Sequence, residues 1–113
     1  MKYICLIYSD RSRIDALPAS DQQAVLGEYA AFTDSIRKSG HLVAGERLAP
    51  VQRARTIRSR NGHIAVTDGP FAETKEQLGG FYLIDARDLD EATEIASRIP
   101  GARMGSIEVR PIM

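Results

Sequence analysis

The stretch Tyr3-Ile4-Cys5-Leu6-Ile7-Tyr8 is a run of six apolar and aromatic residues that ends at Ser9-Asp10. Aromatic and branched side chains in a run of this length predict a strand that is covered on both of its faces. Successive residues of a strand point to opposite faces, so each face of the sheet around this strand is apolar. We therefore expect a central strand, and other parts of the protein must cover both of its faces.

Two amphipathic helices are expected. The first spans about 20–39, where Ser20 and Gln23 have the spacing of a capping box and Gly40 follows the last turn. Its apolar stripe consists of Val25, Tyr29, Phe32 and Ile36. The second spans about 88–99, begins with the same capping spacing at Asp88 and Glu91, and stops at Pro100. Each helix is long enough to cross over a sheet and cover one face.

The other strands are predicted from short apolar runs. We expect strands at 42–48, where Gly45 marks a bulge or the close approach of another group, and at 81–84 and 106–110. Two further β-type runs, 54–60 and 63–67, flank Asn61-Gly62. This dipeptide is typical of a two-residue type I′ turn because both residues tolerate a positive φ. A β-hairpin is therefore predicted between the second strand and the strand at 81–84.

Without the hairpin, the order is strand, helix, strand, strand, helix, strand. This order predicts an α+β protein with a ferredoxin-like βαββαβ sandwich and an inserted β-hairpin. The 113 residues suffice for one compact domain, which we place at 1–113. Both helices cover the same face of the sheet, so the other apolar face needs a cover. A second copy of the chain is the simplest one, and we expect a homodimer.

Composition excludes several classes of function. Fifteen basic and fifteen acidic residues give a formal net charge of zero, which argues against nucleic acid as a partner. No apolar run is long enough for a signal peptide or a membrane span. The single cysteine, Cys5, cannot form an intramolecular disulfide, and a buried free thiol fits the cytoplasm. We expect a cytoplasmic protein with no membrane partner.

No cofactor or metal site is expected. Gly79-Gly80 lacks the framework of a phosphate-binding loop, and no nucleophile-elbow motif occurs. His41 and His63, together with Glu46, Glu73 or Glu76, could in principle form a two-histidine, one-carboxylate site, but neither histidine has a tight ligand spacing. The basic residues of the segment 47–60 are followed in the chain by a mainly acidic segment at 68–94. These charges either belong to a solvated hairpin, guide subunit pairing or hold a small anion.

The segment 68–76 reads Asp-Gly-Pro-Phe-Ala-Glu-Thr-Lys-Glu and continues with Gln-Leu-Gly-Gly-Phe. These nine residues resemble, without a gap, the signature of the DGPF (DGPFAETKE) proteins of the YCII-related family. Further similarity lies in MKYICLIY at the start, LVAGERLAP after the first helix, the DLDEA that opens the second helix and IEVRPIM at the end. The resemblance therefore extends over nearly the full length of the chain, and it implies a dimeric α/β-barrel of two ferredoxin-like subunits.

The resemblance also implies where a site would lie. In the wider family, a His on the first helix and an Asp beyond it line a cleft and are the proposed catalytic pair. A gap-free count from Gly40 places Tyr29 where that His is expected, and Glu46 is the nearest carboxylate after the helix. Proteins of the DGPF type also resemble products of genes next to, or fused to, extracytoplasmic-function sigma factors. A regulatory context is thus implied as well.

We expect a small-molecule cleft between the first helix, the sheet and the 68–76 loop. The catalytic candidates are Tyr29 as acid or hydrogen-bond donor, and Glu46 or Asp68 as base. The candidate ligand-binding residues are Arg47, Pro70, Phe71, Glu73 and Lys75. Two alternatives stay open, since Tyr29 could be only a core aromatic and the loop could only set the angle between hairpin and core.

Two functions agree with these observations. The first is a cofactor-independent enzyme, such as a lyase or isomerase acting on a small anionic or aromatic metabolite, with Arg47 as the anion partner. The second is a non-catalytic module that senses a ligand or binds a partner in a sigma-factor circuit.

Overall fold

A computed structural model describes all 113 residues. Six strands run in chain order over Lys2–Ser9 (β1), Leu42–Arg47 (β2), Arg55–Arg60 (β3), His63–Asp68 (β4), Gln77–Asp85 (β5) and Ser106–Pro111 (β6). Three α-helices cover Arg11–Asp15 (α1), Ala19–Lys38 (α2) and Leu89–Ser97 (α3). Short 3-10 turns lie at Val51–Arg53 and Pro100–Arg103.

Four strands form an antiparallel sheet in the order β2-β5-β1-β6. The first strand of the chain is therefore central, as its apolar run predicts. Helices α2 and α3 each connect two strands of this sheet. The result is a mixed α+β architecture that is consistent with the expected ferredoxin-like fold.

The core lies between the sheet and the two longer helices. Tyr3, Cys5 and Ile7 of β1 are buried on the face toward the helices, and alternation places Ile4 and Leu6 on the outer face. The fully buried members of the core with the largest side chains are Ile36, Ile84, Ile95, Ile99 and Cys5. On the outer face, Ile4 lies opposite Leu83 and Leu6 opposite Phe81, and all four side chains are half-buried. No helix of this chain covers that face.

The two longer helices start differently. Asp88 caps α3 as predicted, because its side chain accepts a hydrogen bond from the Glu91 amide at 2.9 Å. The capping box expected at Ser20 is wrong. Helix α2 already begins at Ala19, so Ser20 lies inside its first turn, and Pro18 holds the cap position without a side-chain hydrogen bond. Proline suits a helix start since it lacks the N–H that would be unsatisfied there.

Three other local features differ from expectation. Helix α1 has only five residues, too few to show a helical pattern of apolar positions in the sequence. The Asp10 side chain caps it by accepting a hydrogen bond from the Ser12 amide. Strand β5 begins at Gln77 rather than at Phe81 and carries the Gly79-Gly80 pair within it. A proline in the first position of a helix, as Pro70 would be, indicates a short helical turn between β4 and β5, but this segment contains bends and no helical turn.

Strands β3 and β4 form a separate two-stranded sheet between β2 and β5 in the chain. Asn61 and Gly62 connect them with φ values of 52° and 77°, the positive angles that a type I′ turn requires. One face of this ribbon carries Ile57, Ile64 and Val66, which are 68%, 72% and 58% exposed. The radius of gyration is 16.0 Å, against the ~13 Å typical of a compact chain of this length. The ribbon therefore extends away from the sandwich.

None of the helices is both long enough and apolar enough to cross a membrane.

Candidate functional site

A cavity of about 450 Å³ lies between the helical layer and the sheet, a size typical of small-molecule sites. Helix α2 explains its position. The buried residues of this helix are Phe32 and Ile36, both in its second half, whereas Leu26 in the first half is 55% exposed. The helix thus packs tightly near its end and leaves space over the sheet near its start. Ile14, Leu17, Val25 and Leu26 give that space an apolar wall.

Three glycines lie on the sheet side of the cavity. Gly45 of β2 and Gly79 and Gly80 of β5 all line it. Two of these positions have no room for a methyl group: a Cβ at Gly45 would lie 2.7 Å from the Tyr82 ring, and one at Gly80 would lie 2.9 Å from the Glu46 carbonyl oxygen. Of the two alternatives expected at Gly45, a bulge or the close approach of another group, the structure shows the close approach, and the group is the Tyr82 ring.

Tyr29 projects from α2 into this cavity and is half-buried. Its hydroxyl lies against the turn at Gly101, where a Cβ would be 2.5 Å from the hydroxyl oxygen. Burial raises the pKa of Tyr29, while the Gly101 amide and the cations Arg103 and Arg47 partly oppose this rise. The phenol therefore keeps its proton at neutral pH and is available as a hydrogen-bond donor.

A second tyrosine supports the wall of the cavity. The Tyr82 hydroxyl and Thr33 Oγ1 are 2.7 Å apart and share a hydrogen bond. The Tyr82 ring packs edge-on against Phe32 with 5.2 Å between the ring centroids. These contacts hold the ring of Tyr82 in place over Gly45.

Four arginines and one carboxylate line the cavity. Arg11 pairs with Asp15, Arg37 with Asp34, and Arg103 with Glu28. Arg47 has neither an ion pair nor a side-chain hydrogen bond, and it is the cation free to neutralise a bound anion. Glu46 is the single acid in the lining. The positive charge available to an anionic ligand is therefore that of Arg47, since acids next to the cavity already pair with the other three arginines.

Glu46 and Arg47 point to opposite faces of the sheet. Arg47 lies opposite Gly80 and Gly45 opposite Tyr82 on the face toward the helices, whereas Glu46 lies opposite Phe81 on the outer face. Arg47 therefore lines the cavity from the sheet face that also faces Tyr29 of α2, while Glu46 only borders the cavity from the sheet edge.

The 68–76 loop does not line this cavity. Asp68, Pro70 and Glu73 line a different, more open concavity beside the 3-10 turn at Val51–Arg53. Asp68 also pairs with Arg55 at the base of the ribbon. Phe71 is 79% exposed. The pKa of Asp10 is lowered, mainly by the hydrogen bond from the Ser12 hydroxyl and to a smaller extent by the positive charge of Lys75. Within one chain, the cleft expected between helix, sheet and loop is not formed.

Hydrogen bonds within the loop and to its neighbours hold it in place. Gln77 donates to the carbonyl oxygens of Ala72 and Thr74, both at 3.1 Å. Thr56 and Arg58 of β3 donate to the carbonyl oxygens of Gly69 and Phe71. These bonds tie the ribbon to the start of β5, which agrees with the structural alternative for this segment.

The histidines lie on different elements. His41 shares a hydrogen bond with Ser39 and lies 3.3 Å from a carboxylate oxygen of Glu91, whereas His63 begins β4. Nowhere does the chain bring three metal-ligating side chains together. Cys5 is fully buried in the core, and burial raises the pKa of its thiol to about 11. An unreactive thiol is the expected consequence.

Sequence reasoning missed part of the lining. Arg11, Arg37 and Arg103 come from three segments, and no spacing in the sequence connects them. Gly79-Gly80 lacks the framework of a phosphate-binding loop, but two adjacent glycines before an apolar run also indicate a sheet surface that another group approaches closely.

Two known proteins are similar to this chain. A solved structure of 5-chloro-2-hydroxyhydroquinone dehydrochlorinase (TftG) from Burkholderia phenoliruptrix AC1100, in complex with 2,5-dihydroxybenzoquinone, matches with a TM-score of 0.58 at 11% identity. The match covers 100% of this chain and 94% of that one, and it shows a common fold. "Uncharacterized protein R00369" of Rhizobium meliloti (strain 1021) is 42% identical over 99% of this chain and 92% of its own length. The family model of the YCII-related domain matches residues 1–113, so the chain belongs to the YCII-related domain family.

Proposed function

We propose that this protein is a cofactor-independent lyase or isomerase that acts on a small anionic or aromatic metabolite. The observation that carries the proposal is the position of Tyr29. Its protonated phenol lies in a cavity of suitable size, in the field of Arg47 and Arg103. A half-buried donor in the same cavity as an unpaired cation is an arrangement that can stabilise negative charge as it develops on a substrate.

The roles follow from the protonation states. Tyr29 donates a hydrogen bond or a proton to an oxygen of the substrate, because its raised pKa keeps the O–H intact at neutral pH. Arg47 holds the anionic group of the substrate through charge-assisted hydrogen bonds. Glu46 is our candidate base, as it is the single carboxylate in the lining. Because Glu46 lies on the outer face of β2, its carboxylate has to bend around this edge strand to reach a ligand in the cavity.

The similarity in fold supports a small-molecule function. The dehydrochlorinase with this fold was solved with a small ring compound, 2,5-dihydroxybenzoquinone. At 11% identity, residue roles are not transferred from it, and our assignments rest on this chain's own cavity. We also assign the chain to the DGPF type within the family, on the run from Asp68 to Glu76.

We propose a homodimer as the working form. The half-buried outer face at Ile4, Leu6, Phe81 and Leu83 is uncovered, and so is the apolar face of the β3–β4 ribbon. An isolated two-stranded ribbon is marginally stable in water, so a partner surface would stabilise it. Residues of the 68–76 loop could then approach a cavity of the other subunit.

A second candidate function is ligand sensing without catalysis, in the context of an extracytoplasmic-function sigma factor. The observation that favours it is the position of Glu46 on the face of β2 opposite Arg47. With the carboxylate turned away from the phenol, the cavity holds an anion-binding cation and a donor but no base directed at the same ligand.

Thermal shift against a library of small carboxylates and phenols, followed by NMR observation of any chemical change in the hits, tests the proposal. We expect a hit whose stabilisation is lost in Arg47→Gln and weakened in Tyr29→Phe. Arg53→Gln and Tyr8→Phe are matched controls, since neither residue lines the cavity, and both should bind as the wild type does.

Conversion of the hit by the wild type, slowed in Tyr29→Phe and Glu46→Gln, supports the enzyme. Binding without conversion supports the sensing module. Ligand shifts that are unchanged in both Arg47→Gln and Tyr29→Phe would remove this cavity from consideration.

A further inference from the structure

We infer that the hydroxyl groups of Thr33 and Tyr82 form a second ligand-binding site in the cavity, separate from the anion site at Arg47. This second site takes an oxo oxygen, so the substrate class narrows to carboxylates that carry an oxo group several bonds from the charge. The inference rests on the proposed function, from which it takes the anion site. Thr33 of α2 and Tyr82 of β5 both line the cavity, and the hydrogen bond between them is only part-buried.

This hydroxyl pair has one hydrogen that no protein atom accepts. Each hydroxyl carries one hydrogen, and the 2.7 Å contact between Tyr82 Oη and Thr33 Oγ1 uses one of the two. A threonine inside a helix can donate to the carbonyl oxygen four residues back, as Thr93 does to Leu89, but Thr33 makes no such bond. The second hydrogen of the pair is therefore available to an acceptor in the cavity.

The acceptor that suits this site is neutral. Tyr82 is only 8% exposed, so a charged oxygen beside its hydroxyl would lose much of its hydration. No free cation would compensate for this loss, since Arg37, one turn farther along α2 than Thr33, pairs with Asp34. An oxo oxygen carries no charge, and it accepts the available hydrogen.

The sheet register separates the hydroxyl pair from the anion site. Tyr82 lies opposite Gly45, and Gly80 lies opposite Arg47, two residues farther along the same two strands. Both cross-strand pairs face the helices, because residues two apart in a strand point to the same face. Two residues of a strand span about 7 Å, so the side chains of Tyr82 and Arg47 leave the sheet that far apart along the strand direction.

Helix α2 has a matching separation. Thr33 follows Tyr29 by four residues, so the two lie on the same face of the helix, with about 5–6 Å between their Cβ atoms. The Tyr29 hydroxyl and Ile7 Cγ2 both lie within 3.2 Å of the position that a Cβ of Gly101 would take. Ile7 belongs to the same row of the sheet as Arg47. The cavity therefore has one polar end at Tyr29 and Arg47 and another at the hydroxyl pair.

Three small anions with five carbons and one negative charge distinguish these ends. In 4-oxopentanoate, the extended chain holds the oxo oxygen roughly 5 Å from the carboxylate carbon, so the two groups can reach both ends. In its isomer 2-oxopentanoate, the two groups are on adjacent carbons and can reach only one end. Pentanoate has no oxo group. We expect 4-oxopentanoate to bind the wild type about fivefold more tightly than either of the others, as one neutral hydrogen bond provides.

The test is an NMR titration of the wild type and of the double variant Thr33→Val/Tyr82→Phe. Replacing both partners of a hydrogen bond by apolar groups of similar shape leaves no unsatisfied group, so the double variant should fold. Its affinity for 4-oxopentanoate should fall to that for pentanoate, and pentanoate itself should bind as it does to the wild type. Thr93→Val/Tyr8→Phe is the matched control, because it removes the same two hydroxyls outside the cavity, and it should keep the fivefold preference.

The outcomes separate the inference from the proposed function. If 4-oxopentanoate binds no more tightly than its isomer, or keeps its preference in Thr33→Val/Tyr82→Phe, the second site is wrong; weaker binding of all three anions to Arg47→Gln would then still support the anion site. If none of the three binds at millimolar concentration, the inferred substrate class is wrong, and the library screen alone decides on the cavity. Binding that Arg47→Gln and Tyr29→Phe leave unchanged would contradict the proposed function and the inference with it.

Discussion

Replacing Gly101 by alanine perturbs the contact between the Pro100–Arg103 turn and Tyr29. An alanine methyl would lie 2.5 Å from the Tyr29 hydroxyl oxygen and 3.2 Å from Ile7 Cγ2, so the phenol or the turn has to move. Overpacking of this kind costs ~1–3 kcal/mol. Because Gly101 does not have a positive φ, the loss of backbone freedom in the unfolded chain returns ~0.4–1 kcal/mol. We expect a net loss of about 1–2 kcal/mol in the free energy of unfolding.

For 113 residues the entropy of unfolding near the midpoint is about 0.24 kcal/mol/K, so the expected fall in Tm is ~4–8 °C. Tyr29→Phe removes the colliding oxygen. In the double variant Gly101→Ala/Tyr29→Phe, the two effects should therefore not add, with a coupling of about 1 kcal/mol in favour of the pair. Calorimetry on the wild type, both single variants and the double variant measures this cycle.

Gly27→Ala is the control for glycine replacement. It has open space around its Cβ and lies inside α2, so it should stabilise the protein by up to ~1 kcal/mol. Additive effects of Gly101→Ala and Tyr29→Phe, within ~0.5 kcal/mol, would show that the hydroxyl does not lie against this turn and would refute the geometry used for Tyr29 as donor.

Three further predictions concern assembly, the thiol and pH. Light scattering at micromolar concentration should give twice 12.4 kDa or a multiple, and a folded monomer would contradict the proposed homodimer. Cys5, with a thiol pKa of about 11 in the core, should react with a disulfide reagent at pH 8 only after denaturation; fast reaction of the native protein would contradict its burial. The Arg87 amide, followed by the charges of Arg87 and His41, lowers the pKa of Glu91. Ionised Glu91 therefore stabilises the folded protein at pH values above 4.5, the ordinary pKa of glutamate. This contribution is lost as the pH falls through the lower pKa that Glu91 has in the folded protein. Glu91→Gln should therefore lower Tm at pH 7, with a difference from the wild type that shrinks below pH 4.5; a difference independent of pH would exclude the carboxylate as its cause.

The sequence alone determined the features that depend on neighbouring residues. The apolar run at 3–8 indicated the central strand, Asn61-Gly62 indicated a turn with two positive φ values, and Asp88 with Glu91 indicated the start of α3. Each of these signals acts over a few residues, through burial alternation, backbone sterics or a local hydrogen bond. Where two local signals competed, as at Pro18 and Ser20, the capping pattern indicated a helix cap two positions too late in the chain.

The cavity was decided by the tertiary structure. Tyr29 and Arg47 could be proposed as partners from the order of elements, but only the register of β2 on β5 places Arg47 on the helix face and Glu46 on the other. The space between α2 and the sheet exists because α2 packs against the core through its second half only. Such features arise from the angle at which a helix crosses a sheet, which is set by contacts between residues far apart in the chain and leaves no local pattern in the sequence.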